Sequence, residues 1–272
     1  MDTRRLHNKE TALKKYPKSL KSKSTNGIIY LQFNSLAYQD HLSHGIFTRL
    51  GGVSDPPYDS LNAAYNIGDQ PEKVKKNLKI ISEIIDARHL IYMNQVHGED
   101  IIILRKDDHP HLDSIAYADA IITDIPCIAL MIKQADCQGV ILYDPIKGVL
   151  AVAHCGWRGN THNILGSVVS RMRSKFGCEE SNILAAIGPS LGPCCAEFIS
   201  YNRIFPEWFN QFILRDNHFD LWEISLRQLL DAGIEKEKIE IAGICTRCNT
   251  DQFYSYRAEG ITGRFATVAM LR

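Results

Sequence analysis

Between residues 90 and 154 the chain is cut into short apolar runs, and this constrains its fold more than any other feature. The runs are Leu90–Val96, Ile101–Leu104, Ala120–Thr123, Cys127–Ile132, Val140–Tyr143 and Val149–His154. Each is too short to cross a membrane and has the length of a buried strand. The turn-forming stretches Asp107–Pro110 and Asp144–Gly148 fit between them. Further strands are predicted at Ile28–Phe33, Gly45–Thr48, Ile183–Ile187, Lys238–Ala242 and Phe265–Leu271, with a turn-rich stretch at Arg49–Asp59. Only three helices intervene. Pro71–Ala87 puts Val74, Leu78, Ile81 and Ile85 on one face, with Asp69 and Pro71 as its start signal. Asn160–Phe176 takes Asn160 as N-cap and Gly177 as stop, and Asp220–Ala232 ends at Gly233. Strand clusters with a few helices predict an α+β fold, mixed sheets packed with helices in layers, because a doubly wound fold would alternate more strictly.

Residues 1–26 stand apart from this pattern. They carry eight Lys or Arg against Asp2 and Glu10. They read as a basic extension, flexible or partly helical, with a lipid- or RNA-binding arm as the alternative. Residues 27–272 read as a single catalytic domain. The whole chain is balanced, with 31 basic and 31 acidic residues. Such a chain has no general attraction for nucleic acid or an anionic membrane, so neither is an expected partner. No apolar segment follows the basic N-terminus in the manner of a signal peptide, and a cytoplasmic location is expected. In that setting the eight cysteines read as free thiols or metal ligands rather than disulfides.

Three candidate ligands share one trait: each ends an apolar run and is followed by a glycine or a polar turn. They are His97 in Asn94-Gln95-Val96-His97-Gly98, Cys137 in Gln134-Ala135-Asp136-Cys137, and His154 before Cys155-Gly156-Trp157-Arg158-Gly159. A lone Cys or His is more often a packed or hydrogen-bonded core residue, and the separations are not those of a zinc finger. If the strands are neighbours, however, the three side chains converge. Three protein ligands with an open fourth position make a catalytic zinc site. Arg158 stands just before a helix N-terminus, where a cation beside free N–H groups suits an anion; a surface ion pair explains it equally well. Arg49 with Asn62, and Arg264 after Tyr256-Arg257, lie in Gly-flanked segments that suit a phosphate or ribose, or are simply turns. Cys245-Thr246-Arg247-Cys248 and the pair Cys194-Cys195 together offer a structural zinc site, although one CxxC without a matching pair is weak evidence.

Taken in order, the segments TRLGGVS with SLN, NQVHG, ADC, AHCGWRG, IGPSLGPCC, and YSYR with TGR resemble those of one family across residues 28–272. It is known variously as polyphenol oxidase (laccase-like), purine nucleoside phosphorylase with adenosine deaminase activity, and peptidoglycan editing factor, the YfiH-like proteins. The resemblance implies an α+β fold like that described for a class of cysteine hydrolases. It implies that His97, Cys137 and His154 bind zinc, or copper. It also implies adenosine deamination and phosphorolysis of adenosine, inosine or methylthioadenosine, with a purine nucleoside and phosphate as partners. On that reading Asp136 shuttles a proton beside Cys137 and Arg49, Asn62, Arg158 and Arg264 hold substrate or phosphate. The chain departs from the family at Gln138-Gly139, where a proline is common, at Cys155, and at Asn160. These departures bear on substrate preference and leave the ligands intact.

Three function classes follow. The first is the metal-dependent purine nucleoside enzyme. The second is a hydrolase in which Cys137 is the nucleophile beside a histidine, acting in peptidoglycan editing. The third is a metal-binding protein without turnover. Copper-dependent polyphenol oxidation is a further alternative within the resemblance.

Overall fold

Alternation along the strands sorts the side chains into layers. The computed structural model describes residues 15–16, 20–108 and 117–272. Most of the basic extension and part of the turn predicted at Asp107–Pro110 lie outside the described residues. The strands are β1 (Leu20–Thr25), β2 (Ile28–Phe33), β3 (Leu42–Phe47), β4 (His89–Tyr92), β5 (Ile101–Leu104), β6 (Ala120–Thr123) and β7 (Ile128–Gln134). They continue as β8 (Gln138–Asp144), β9 (Val149–Cys155), β10 (Leu184–Ile187), β11 (Ile213–Arg215), β12 (His218–Phe219), β13 (Ile239–Ile241) and β14 (Phe265–Leu271). The helices are α1 (Asn34–Ala37), α2 (Pro71–Ile85), α3 (Trp157–Thr161), α4 (Ile164–Phe176), α5 (Tyr201–Ile204), α6 (Leu221–Asp231) and α7 (Tyr256–Glu259).

Two six-stranded mixed sheets result, ordered β1-β2-β3-β14-β7-β4 and β13-β10-β8-β9-β6-β5. On β7, Ile128, Leu130 and Ile132 face the second sheet, while Ala129 and Met131 face α2. On β9, Leu150 and Val152 face the first sheet, while Val149, Ala151 and Ala153 face α4 and α6. The period-two pattern therefore serves both faces of each sheet, giving helix, sheet, sheet and helix in sequence. The fold is α+β with layered mixed sheets. Among the described residues no helix is long and apolar enough to cross a membrane.

Several boundaries differ from the sequence reading: the strand predicted over Leu90–Val96 ends at Tyr92, which leaves His97 in the loop beyond it, and two further differences reshape the elements around it. Residues 20–25, assigned there to the basic extension, form the edge strand β1, paired antiparallel with β2. Lys21 and Lys23 are exposed on it, and lysines on an edge discourage further pairing. The helix predicted over Asn160–Phe176 is two helices, α3 and α4, broken at residues 162–163. Asn163, at φ 55°, caps α4 by accepting from the Gly166 N–H, and Asn160 is buried inside α3 instead. There Asn160 Oδ1 lies 3.0 Å from Ser225 Oγ and 3.2 Å from Cys155 Sγ, and Ser225 donates to Gln138 Oε1 at 2.7 Å. The three family departures, Gln138, Cys155 and Asn160, thus meet in one buried network against α6.

Candidate active site

The site forms where the chain passes from one sheet to the other. Strands β4 and β7 are parallel neighbours, so the segments leaving their C-terminal ends emerge side by side. The first carries His97 and the second carries Cys137, in the turn that takes β7 into β8. The register of β8 with β9 pairs Gly139 with His154 and brings that imidazole to the same place. The donor atoms of His97, Cys137 and His154 lie within 4.8 Å of one another. The two rings meet edge to face, 4.8 Å between centroids. Both His97 and Asp136 hold positive φ, 60° and 95°, a conformation that costs a non-glycine residue energy and tends to persist at functional sites. Gly156 completes the enclosure. A Cβ there would lie 2.7 Å from Cys137 Sγ, so only glycine lets β9 pass this close to the thiol.

One buried carboxylate orients two of the three candidate ligands. Asp119 Oδ1 is 2.8 Å from His154 Nδ1, which leaves Nε2 as the nitrogen facing Cys137. The same carboxylate accepts from the backbone N–H of Val96, His97 and Gly98, fixing the loop that carries His97. Burial favours a neutral Asp119, but the His154 ring and these N–H groups outweigh it and hold its pKa below the usual range. Burial likewise opposes a Cys137 thiolate, yet His154 and His97 bring its pKa down to about 6. Burial opposes charge on His154 too, and Cys137 with Asp119 raises its pKa to about 9. Opposite charges that favour each other explain all three shifts. Asp119 was missed in the sequence because it precedes the apolar run Ala120–Thr123 instead of ending one, so the trait that singled out His97, Cys137 and His154 does not find it.

The donor set suits a metal. One thiolate and two imidazoles, one of them held by a carboxylate behind it, are the ligand types and the supporting contact that zinc sites use. The three side chains line a cavity of about 830 Å³, within the range of roughly 300–1,000 Å³ usual for small-molecule sites.

The sequence-predicted substrate residues separate. Arg264 lines this cavity. Its Nη1 donates to the carbonyls of Thr262 and Gly263, 2.7 and 2.9 Å, and among the described residues Nε and Nη2 of its guanidinium make no hydrogen bond. Arg49 does not line the cavity. Its guanidinium stacks on Tyr254 and bonds Asp59 O, Thr250 O and Glu259, holding three loops together. Asn62 is fully buried and accepts from the Arg264 backbone N–H at 2.9 Å, so it positions that arginine's main chain. Arg158 is exposed on α3, lies over the Trp157 ring, and is not a cavity residue. Asp136 lines the cavity with both carboxylate oxygens engaged: Oδ1 accepts from Thr246 and Ser255, and Oδ2 from the Arg257 N–H. Lys133, Tyr256 and Arg257 complete the polar wall. Burial lowers the Lys133 pKa to about 8. No motif in the sequence singled out Lys133.

Comparison with known proteins places these residues in context. Residues 43–272 match the family described as multi-copper polyphenol oxidoreductase laccase. The chain is 31% identical over 258 residues to a purine nucleoside phosphorylase of Bacteroides thetaiotaomicron, covering 89% of this chain and 96% of that protein. It is 31% identical over 235 residues to purine nucleoside phosphorylase YfiH of Escherichia coli, covering 82% and 91%. The crystal structure of YlmD from Geobacillus stearothermophilus superposes with a TM-score of 0.83 at 27% identity, covering 94% of this chain and all of that one. A hypothetical protein YfiH of Bacillus licheniformis gives a TM-score of 0.80, also at 27% identity.

Proposed function

Because this chain belongs to the multi-copper polyphenol oxidoreductase laccase family, with relatives named purine nucleoside phosphorylases, we propose that it is a metal-dependent purine nucleoside enzyme. The observation that carries the reading is the placement of His97, Cys137 and His154 in one wall of a cavity that Arg264 also lines. In phosphorolysis a phosphate oxygen bonds to the ribose anomeric carbon as the bond to the purine nitrogen breaks. The base leaves with the electron pair and takes up a proton. Arg264 suits the phosphate, because its unengaged nitrogens form a planar fork that matches phosphate oxygens. Tyr256 lies beside that guanidinium, its ring centroid 5.8 Å away, and offers an apolar face to the ligand. Asp136 positions rather than shuttles: its three accepted hydrogen bonds pin the segment from Thr246 to Arg257 against the Cys137 turn. A metal held by His97, Cys137 and His154 would supply Lewis-acid chemistry, activating water for deamination of the purine. Asp119 keeps His154 Nε2 directed at that position and neutralises it when protonated.

A second reading has its own observation. Cys137, His154 and Asp119 form a thiol–imidazole–carboxylate series, with the thiol made acidic, and this is how a cysteine hydrolase activates its nucleophile. One experiment addresses both. Adenosine is incubated with zinc-loaded and with metal-stripped protein, with and without phosphate, and products are separated. Inosine, and free base only when phosphate is present, are expected from the zinc-loaded protein alone. Neither product from loaded protein would remove the nucleoside reading. Equal activity in the stripped protein would move the chemistry to the Cys137 thiol.

A further inference from the structure

Four cysteines that the active site does not use come together elsewhere. Sγ of Cys194 and of Cys195 lie 3.6 and 3.5 Å from Sγ of Cys248. All four sulfurs, Cys245 included, lie within 4.8 Å of one another. None of the four lines the cavity. All are free thiols, and the separations greatly exceed the bonded S–S length of about 2.05 Å. They do match a tetrahedral zinc, where Zn–S bonds of about 2.3 Å set the sulfurs about 3.8 Å apart.

The fold builds this cluster from two loops. Strands β10 and β13 are parallel neighbours, so the segments that follow them leave the same end of the sheet. Ser190 N–H donates to Ile244 O, and Thr246 N–H donates to Ser190 O, so the loops run side by side. The Gly192 N–H donates to Cys245 Sγ at 3.3 Å, a contact that favours thiolate. The approach needs glycine, since a Cβ there would lie 2.9 Å from Cys245 Cβ and 3.0 Å from the Trp222 ring. Arg247, between Cys245 and Cys248 in the chain, supplies a cation beside the cluster, and the sulfurs around it favour its charged form. Cys194, Cys195 and Cys245 are buried and only Cys248 is exposed, so the sulfurs leave no position open to a substrate.

We propose that Cys194, Cys195, Cys245 and Cys248 bind one zinc ion as a structural site separate from the active site. Binding converts four thiols to thiolates and releases their protons to solvent, and Arg247 offsets part of the resulting negative charge. The zinc ties loop 188–198 to loop 242–257. Thr246, inside the Cys245–Cys248 pair, donates to Asp136 Oδ1 at 2.7 Å. The zinc thereby braces one wall of the cavity without touching substrate.

The test removes the other candidate site first, so that its outcome is independent of the nucleoside reading. The protein carrying His97→Ala and Cys137→Ala is purified under reducing conditions without chelator and assayed for metal. It should retain about one zinc per chain. With cobalt in place of zinc it should show the intense visible absorption and sulfur-to-cobalt charge transfer of four thiolates. Adding Cys194→Ser and Cys248→Ser should abolish both. If that variant does not fold, a mercurial titration of the otherwise unaltered protein answers the same question. Zinc should then leave in step with modification of peptides containing these four cysteines. A disulfide among them, absence of retained metal, or bound cobalt lacking thiolate charge transfer would each overturn the proposal.

Discussion

The two clusters of Cys and His side chains that could hold a metal are built to opposite plans. The His97–Cys137–His154 group has three donors of two chemical types, sits in a cavity wall, and is oriented by a buried carboxylate. The four-cysteine group has donors of one type and lies off the cavity, tying two loops together. Three ligands with room for a fourth partner belong to chemistry, while four ligands that complete a tetrahedron belong to stability. The two also differ in what holds them. At the first, backbone strain at His97 and Asp136 is maintained by Asp119 and by the loops around Asp136. At the second, parallel strands deliver the loops, backbone hydrogen bonds hold them side by side, and Gly192 permits their close approach.

Substitutions at each cluster can break this contrast. Cys137→Ala is expected to lower phosphate-dependent base release by on the order of 10³-fold or more, through loss of several kcal/mol of transition-state stabilisation. Its thermal midpoint should stay near that of the unaltered protein. A large fall in the midpoint would mean that the first site is structural as well. Asp119→Asn should come next, because it keeps the shape but weakens the hold on His154 and the His97 loop. Metal affinity and turnover should fall together by about 10–100-fold, the usual range for losing the group behind a metal-bound histidine. Turnover falling with no change in metal affinity would instead favour the cysteine-hydrolase reading.

Arg264→Gln sharpens the picture of the cavity. It should raise the phosphate KM about tenfold by removing charge-assisted hydrogen bonds, with deamination changed little. Arg158→Ala, on the exposed face of α3, should leave the phosphate KM near its starting value, and steady-state kinetics against phosphate separate the two arginines. The smallest effect on turnover is expected from Cys194→Ser with Cys248→Ser. Well below its melting midpoint this variant should lose about threefold in turnover at most. Its midpoint should fall by about 10 °C, because a structural metal contributes directly to folding free energy. A midpoint unchanged by these substitutions and by chelation would erase the distinction between the clusters.

Much of the architecture was legible in the chain. β5, β6 and β14 begin and end where the apolar runs do, because each run is bounded by polar or turn residues; β6 and β14 are buried throughout, β5 only in part. Boundaries failed where tertiary contacts override local pattern. β1 is almost wholly polar, and only its pairing with β2 makes it a strand. Asn160 has the chemistry of an N-cap, yet Ser225 and Cys155 draw it into the interior, and Asn163 caps α4 in its place.

The sequence by itself determined most of the strand content, the α+β class and which three Cys and His side chains converge. These features are local: an apolar run of strand length, and a Cys or His placed at its end beside a glycine or a turn. Tertiary structure alone decided which arginine faces the ligand. Arg264 immediately precedes β14, and the register pairing Phe265 with Gln134 carries it to the Cys137 turn. Arg158 lies much nearer to His154 in sequence, but the helix it sits on turns its side chain to solvent. Tertiary structure alone also joined Cys194 and Cys195 to Cys245 and Cys248, since those pairs meet only because β10 and β13 run parallel. Hydrophobic periodicity reports which face of a strand is buried. It carries no information about which strand lies next to it, and sites made of charged and thiol side chains depend on that adjacency.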